Sequence, residues 1–231
     1  MEGFLVEQFL NLDAEFWTDL YLHEGKVILA APGRYDQPLL QTVGAASADT
    51  VLHPDHPEAR AVASLAIRAA RVLGTRTGPV HAEILRTTDG RLLIGEAAAR
   101  VGGDCITEIT GLMYNIDVPA TLAALAVGAR PAPASTAQYS ALTAVMISAP
   151  PGTVTSVASE DHIKSLAGVV DARINLRVGA AVPASAGTVT GGGRILCSST
   201  GLDEVEQDVA RVRAALDIRV SAPPHVTTCV S

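Results

Sequence analysis

An α+β fold, an antiparallel sheet with packed helices followed by a smaller α+β lobe, is predicted by three features of the sequence. The first thirty residues are strand-like, with "EFWTDLYLHEGKVILAA" alternating around a Glu24-Gly25 turn as a hairpin. One long helical pattern follows, "DHPEARAVASLAIRAARVLG". Beyond a proline-rich stretch ending at Gln138, strand patterns dominate again. These features divide the chain into residues 1–130, a linker at 131–138, and a lobe at 139–231.

The elements can be justified in order. "GFLVEQFL" is apolar and β-rich and is predicted as a strand ahead of the hairpin. Residues 32–56 carry Pro, Gly and Asp at intervals and are predicted as loop. Asp55 or His56 can cap the long helix, Pro57 suits its first turn, and Gly74 ends it after Arg71. Val62, Leu65, Ile67, Ala69, Val72 and Leu73 are its expected buried stripe. A helix from Asp104 to near Asn115 and another over "DVPATLAALAVG" come next. The lobe holds strands at "YSALTAVMIS", "VVDARINLRV" and "GGRILCSS" and a helix, "LDEVEQDVARVRAALD", with acids early and arginines late as the helix dipole favours.

Composition narrows the function. Hydrophobic residues make up 48% of the 231 but aromatics only 3%, so the core is aliphatic. The net charge is −7 and lysines and arginines do not cluster, which argues against nucleic-acid and membrane partners. Cys105, Cys197 and Cys229 are scattered and odd in number, which fits a reducing, cytoplasmic compartment. The most lipid-like stretch, "VPATLAALAVGA", falls well short of the roughly 20 apolar residues that span a bilayer.

The chemistry concentrates in "HAEILRTTDGRLLIGEAAARVGG", His81 to Gly103. A two-residue loop at Asp89-Gly90 would place Glu83 directly opposite Glu96, and a four-residue loop would make them diagonal neighbours. Either register puts both carboxylates on one sheet face, within about 5 to 8 Å. A three-residue loop would put them on opposite faces. Two facing carboxylates repel unless a cation lies between them, and an oxygen-only pair suits Mg²⁺, which shares its shell with waters and phosphate oxygens. The plainer alternative is two solvated acids on an exposed face. Arg100 and the Gly102-Gly103 pair just past the strand suit a developing negative charge. His81 is expected to be a hydrogen-bonded structural residue, Trp17 to pack beneath the first hairpin, and His53, Asp55 and His56 to serve helix capping rather than a metal. Arg34 is either a loop residue bordering the substrate or an ordinary surface residue.

The stretch "GPVHAEILRTTDGRLLIGEAAARVGGD" resembles the metal-binding core of ATP-grasp enzymes, in the form found in carboxylate–amine ligases, including the L-amino acid ligases. "LVEQFLNLDAEF" is similar to their hinge strand and following acid, and residues 139–220 resemble their C-terminal lobe. The resemblance implies the C-terminal half of an ATP-grasp fold. It implies that ATP and Mg²⁺ are cofactors, that Glu83 and Glu96 hold the metal, and that Arg100 stabilises acyl-phosphate and tetrahedral species. It further implies that Glu7, Gln8, Phe9 and Leu10 face adenine, that Glu15 takes the ribose, and that Gly102 and Gly103 line the nucleotide site. A small carboxylate and an amine would be the substrates.

The sequence departs from this pattern in two places. Ala98 stands where many members carry an asparagine, which removes one oxygen ligand. Lys26 and Lys164 are the only lysines and neither is placed as a phosphate contact, while Gly191 to Gly193 lack the ending of a phosphate loop. A second polypeptide supplying the remaining lobe, or a homodimer, is therefore an expected partner. A degenerate or split module of this kind, binding nucleotide or a partner chain without turnover on its own, is the alternative.

Overall fold

The computed structural model describes residues 6–41, 47–183 and 191–221. The start of the predicted opening strand and Cys229 lie outside the described residues. In chain order the elements are β1 (Leu12–His23), β2 (Lys26–Tyr35), β3 (Ala48–Leu52), α1 (Pro57–Val72), β4 (Gly78–Thr87), β5 (Leu92–Ala98), α2 (Ile106–Tyr114) and α3 (Val118–Ala126). They continue as β6 (Ala141–Met146), β7 (Gly152–Ser156), α4 (Glu160–Lys164), β8 (Val169–Ile174), β9 (Ala181–Val182), β10 (Gly193–Ser199), α5 (Leu202–Ala215) and β11 (Arg219–Ser221).

Eight strands form one sheet in the order β5-β4-β1-β2-β3-β6-β10-β8, and β11-β7-β9 form a small second one. All pairings are antiparallel. The predicted linker is irregular, and β6 beyond it pairs with β3, so one sheet takes strands from both sides of residues 131–138.

The first hairpin turns as predicted. Glu24 and Gly25 both have positive φ (53° and 79°), the combination that matches strand twist in a two-residue turn. Three expectations need correction. Residues 6–11 are not a strand; among the described residues no ladder pairs with them, and Val6 and Phe9 lie exposed. The predicted loop 32–56 contains the end of β2 and all of β3. Every residue of β3, "ADTVL", is buried, a central strand that its polar members disguise. The buried stripe of α1 is Ala59, Val62, Ala66 and Ala70, while Val72 and Leu73 are exposed. Small alanines let the helix sit close to the sheet, a contact that counting bulky residues overlooks. Its caps follow expectation: His56 Nδ1 accepts from the Glu58 amide at 3.3 Å and Gly74 leaves the helix at φ 78°.

The sheet has two covered faces. On one, α1 packs on Phe16, Leu20, Leu22, Ala82 and Ile84, and α5 packs with Val145, Ile195 and Cys197. On the other, Ile106, Ile109 and Met113 of α2 cover Trp17, Val51, Leu142, Ala144 and Leu196. Arg34 lies on the first face, paired across β1 with Phe16 and bridged to Glu58 of α1, so it is a strand residue in an ion-pair network rather than part of a substrate loop. Among the described residues no single helix is long and apolar enough to cross a membrane; α2 and α3 reach that composition only together, across a 97° bend.

Candidate metal and nucleotide site

The β4–β5 turn has three residues between paired strands. The Gly90 amide donates to Thr87 O at 2.8 Å and the Thr87 amide to Arg91 O at 3.0 Å, with Gly90 left-handed at φ 84°. That is the loop length expected to separate the two acids. A β-bulge restores their alignment. Below it Ile84 faces Ile94, above it Glu83 faces Glu96, and Gly95 is the extra residue. Ile94 thereby reaches the α1 core while Glu96, two residues on, reaches the opposite face. The sequence reading reached the right alignment through the wrong turn. Gly95 also has packing above it: a Cβ there would stand 3.1 Å from Leu85 Cγ.

One row of residues runs across the sheet on this face: Glu96, Glu83, Trp17, Gly33 and Val51. Trp17 is fully buried, and its ring occupies the space a side chain at position 33 would need. Glu83 is 24% exposed at its side chain and Glu96 61%, so the pair opens outward. Arg100 Nη2 lies 3.9 Å from Glu96 Oε1, and its Nη1 donates to Val101 O at 2.9 Å. The structure thus brings Glu83, Glu96 and Arg100 together.

Behind Glu83 stands a buried pair that the sequence reading only half anticipated. His81 (3% exposed) meets Asp19 (1% exposed) with Nδ1 and Oδ1 2.6 Å apart, and its Nε2 lies 3.8 Å from Glu83 Oε1. Burial opposes a charged imidazole here, but the hydrogen bond to Asp19 and the negative charges of Asp19 and Glu83 outweigh it and raise the pKa from 6.5 to about 9. The pair thus favours the imidazolium form of His81, which puts positive charge beside Glu83. Because its folded pKa lies above the ordinary value, the stabilisation is complete below about pH 6.5 and is lost as pH rises through about 9. Unfolding free energies from urea melts across that window are expected to fall by an amount on the order of 3 kcal/mol. His81→Asn is expected to flatten that slope, and an unchanged slope would contradict the assignment.

Gly102 completes this support. Its amide donates to both Asp19 oxygens at 3.1 Å, and a Cβ there would stand 2.6 Å from Ile106 Cγ2 and 3.1 Å from His81 Nδ1. The first glycine of the pair is needed for close approach to Asp19. Gly103 is exposed, with open space where a side chain would stand. Glu15 is buried, its Oε2 accepting from the Leu39 amide at 2.9 Å. Its pKa is raised, chiefly by burial and then by Glu83, against the pull of that amide. Of the expected adenine contacts, Glu7, Gln8 and Phe9 lie exposed and Leu10 half-buried. Cys105 precedes α2 without capping it, its thiol pushed up to about 11 by burial and by Glu108.

Among the described residues no group of three or more His, Cys, Asp or Glu is placed to hold a metal ion. Two carboxylates, with waters and phosphate oxygens completing the shell, are nonetheless the manner in which Mg²⁺ is usually bound. Asp19 was missed as part of the site. It lies on the same face as Trp17, which the alternation of β1 would have shown.

No family model matches the chain. A curated relative, the L-arginine-specific L-amino acid ligase of Bacillus subtilis, is 29% identical over 104 residues, 45% of this chain and 25% of that protein. The structure is similar to an L-amino acid ligase from Bacillus licheniformis, with a TM-score of 0.75 and 19% identity over 93% of this chain and 53% of that one. It is also similar to phosphoribosylglycinamide synthetase from Anaerococcus prevotii, with a TM-score of 0.70 and 17% identity over 93% and 55%. The chain spans about half the length of these solved structures. It shares the fold of these structures, the ATP-grasp fold.

Proposed function

We propose that this chain is the metal- and nucleotide-holding part of an ATP-dependent carboxylate–amine ligase that joins amino acids or small peptides. The observation that carries the reading is the Glu83–Glu96 pair, kept on one face by a bulge and backed by the charged His81. Glu83 and Glu96 hold Mg²⁺, which neutralises phosphate charge when bound. Arg100, beside Glu96, stabilises negative charge on the carboxylate as it is activated and attacked by the amine. Glu7, Gln8, Phe9 and Leu10 face adenine, Glu15 the ribose side, and Gly102 and Gly103 the phosphate side. Such chemistry depends on positioning and charge neutralisation and needs no protein nucleophile.

A partner supplies the remaining phosphate contacts. Lys164 is paired with Asp171 at 3.1 Å, at the β8 edge of the sheet, whereas Glu96 lies on β5 at the other edge. Lys26 opens β2, paired with His23 beside the first hairpin turn. A second polypeptide, further sequence of the same protein, or another copy of the chain fills that role. A nucleotide-binding module without turnover of its own is the second reading, favoured by the same placement of the lysines.

Calorimetric titration with ADP, with and without Mg²⁺, tests the proposal. Wild-type protein is expected to bind ADP only with the metal, and Glu96→Gln to lose at least about tenfold in that metal-dependent affinity. Equal binding by wild type and Glu96→Gln would sink it.

A further inference from the structure

Among the described residues three buried acids lie on the site face, and they differ in their partners. Asp19 has His81 and the Gly102 amide, and Glu15 has the Leu39 amide. Asp49 of β3 is 2% exposed, yet its buried Oδ1 has no hydrogen-bond partner among the described residues. Register fixes its direction. Asp49 pairs with Tyr35 on one side and Ala144 on the other, two residues from Val51, which lies in the row of Glu83 and Trp17. Asp104, at the entry to α2 beside Gly103, and Asp36 are close enough to repel it, and His81 attracts it. A buried carboxylate without a partner destabilises a fold, so its presence in a central strand calls for a cation that is bound only part of the time.

We propose that Asp49 receives a cationic nitrogen of the amine substrate, an ammonium or a guanidinium, and so selects for it. This rests on the ligase reading above and adds the charge of the group recognised. The charge-assisted hydrogen bond satisfies Oδ1 and places the amine on the same sheet face as Glu83 and Glu96. Burial, together with Asp104 and Asp36, raises the carboxyl of the free protein to about 7, and an arriving cation favours its ionised form.

The test measures binding of two probes to wild type and Asp49→Asn at pH 8. L-Citrulline presents an α-ammonium with a neutral side chain, and N-acetyl-L-arginine presents a guanidinium with the α-amine blocked. One of them is expected to bind wild type and to weaken about tenfold or more in the variant, which identifies the cation. Equal binding of both probes by the two proteins, or binding of neither, would overturn the proposal. The same samples report Mg²⁺-dependent ADP binding, which Asp49→Asn leaves unchanged. Loss of ADP binding in wild type alongside a discriminated amine would defeat the ligase reading and leave the cation site standing. The amide also removes a buried charge, so the variant is expected to be at least as resistant to urea as wild type at pH 8, which separates lost binding from lost folding.

Discussion

Gly33→Ala is expected to abolish cooperative folding at 37 °C. A Cβ at position 33 would stand 2.2 Å from Trp17 Cε2 and Cζ2 and 2.8 Å from Thr50 O. No small adjustment relieves this, because the Trp17 ring is fully buried between the sheet and α2 and the Thr50 oxygen belongs to a central strand. Overpacking commonly costs about 1–3 kcal/mol, and expelling a buried indole adds the loss of its burial. Against a typical stability of about 5–15 kcal/mol, such a sum leaves little margin. Gly25→Ala is the control, since its Cβ would meet open space and only the positive φ is penalised, by about 1–2 kcal/mol. Circular dichroism melts of both variants check the prediction. Trp17→Leu combined with Gly33→Ala is expected to be less damaging than the two changes summed, because the smaller side chain vacates the contested space. A Gly33→Ala melt like that of wild type would contradict the packing account.

His81→Ala is expected to cost stability and metal binding together. It leaves Asp19 buried with the Gly102 amide as its remaining hydrogen-bond partner among the described residues, and breaking a buried ion pair from one side costs about 3–5 kcal/mol. It also removes the cation 3.8 Å from Glu83, and loss of such an orienting group typically lowers metal affinity about 10–100-fold. Adding Asp19→Asn removes the orphaned charge and is expected to recover part of the stability but none of the metal affinity. That split distinguishes a residue that orients a ligand from one that merely holds the fold. Recovery of both, or of neither, would contradict the assignment.

The strongly periodic parts of this fold were legible in the sequence. The first hairpin was marked by its Glu-Gly turn, and α1 by proline at its start and glycine past its end. Strand β3 was hidden because its buried face carries Asp49 beside valine, a choice that local propensity opposes. The alanine stripe of α1 was hidden because close packing against a sheet rewards small residues, which periodicity weighs lightly. The site was legible where one strand names its own partner, as with Glu83 and Glu96. It was illegible where three elements meet, as with Asp19 on β1, His81 on β4 and Gly102 before α2. The bulge at Gly95 belongs to both classes: its glycine is visible in the sequence, but the turn it compensates is a property of the folded hairpin.

The central claim is that the Glu83–Glu96 hairpin holds a divalent cation against nucleotide phosphates. Its most direct test replaces Mg²⁺ with Mn²⁺ and follows the ³¹P resonances of ADP bound to the wild-type chain, Glu83→Gln and Glu96→Gln. Strong broadening of the bound phosphate signals in wild type, lost in both variants, is the predicted result. Identical broadening in all three proteins would show that the metal lies elsewhere, and the paired carboxylates would then be no more than two acids on a sheet edge.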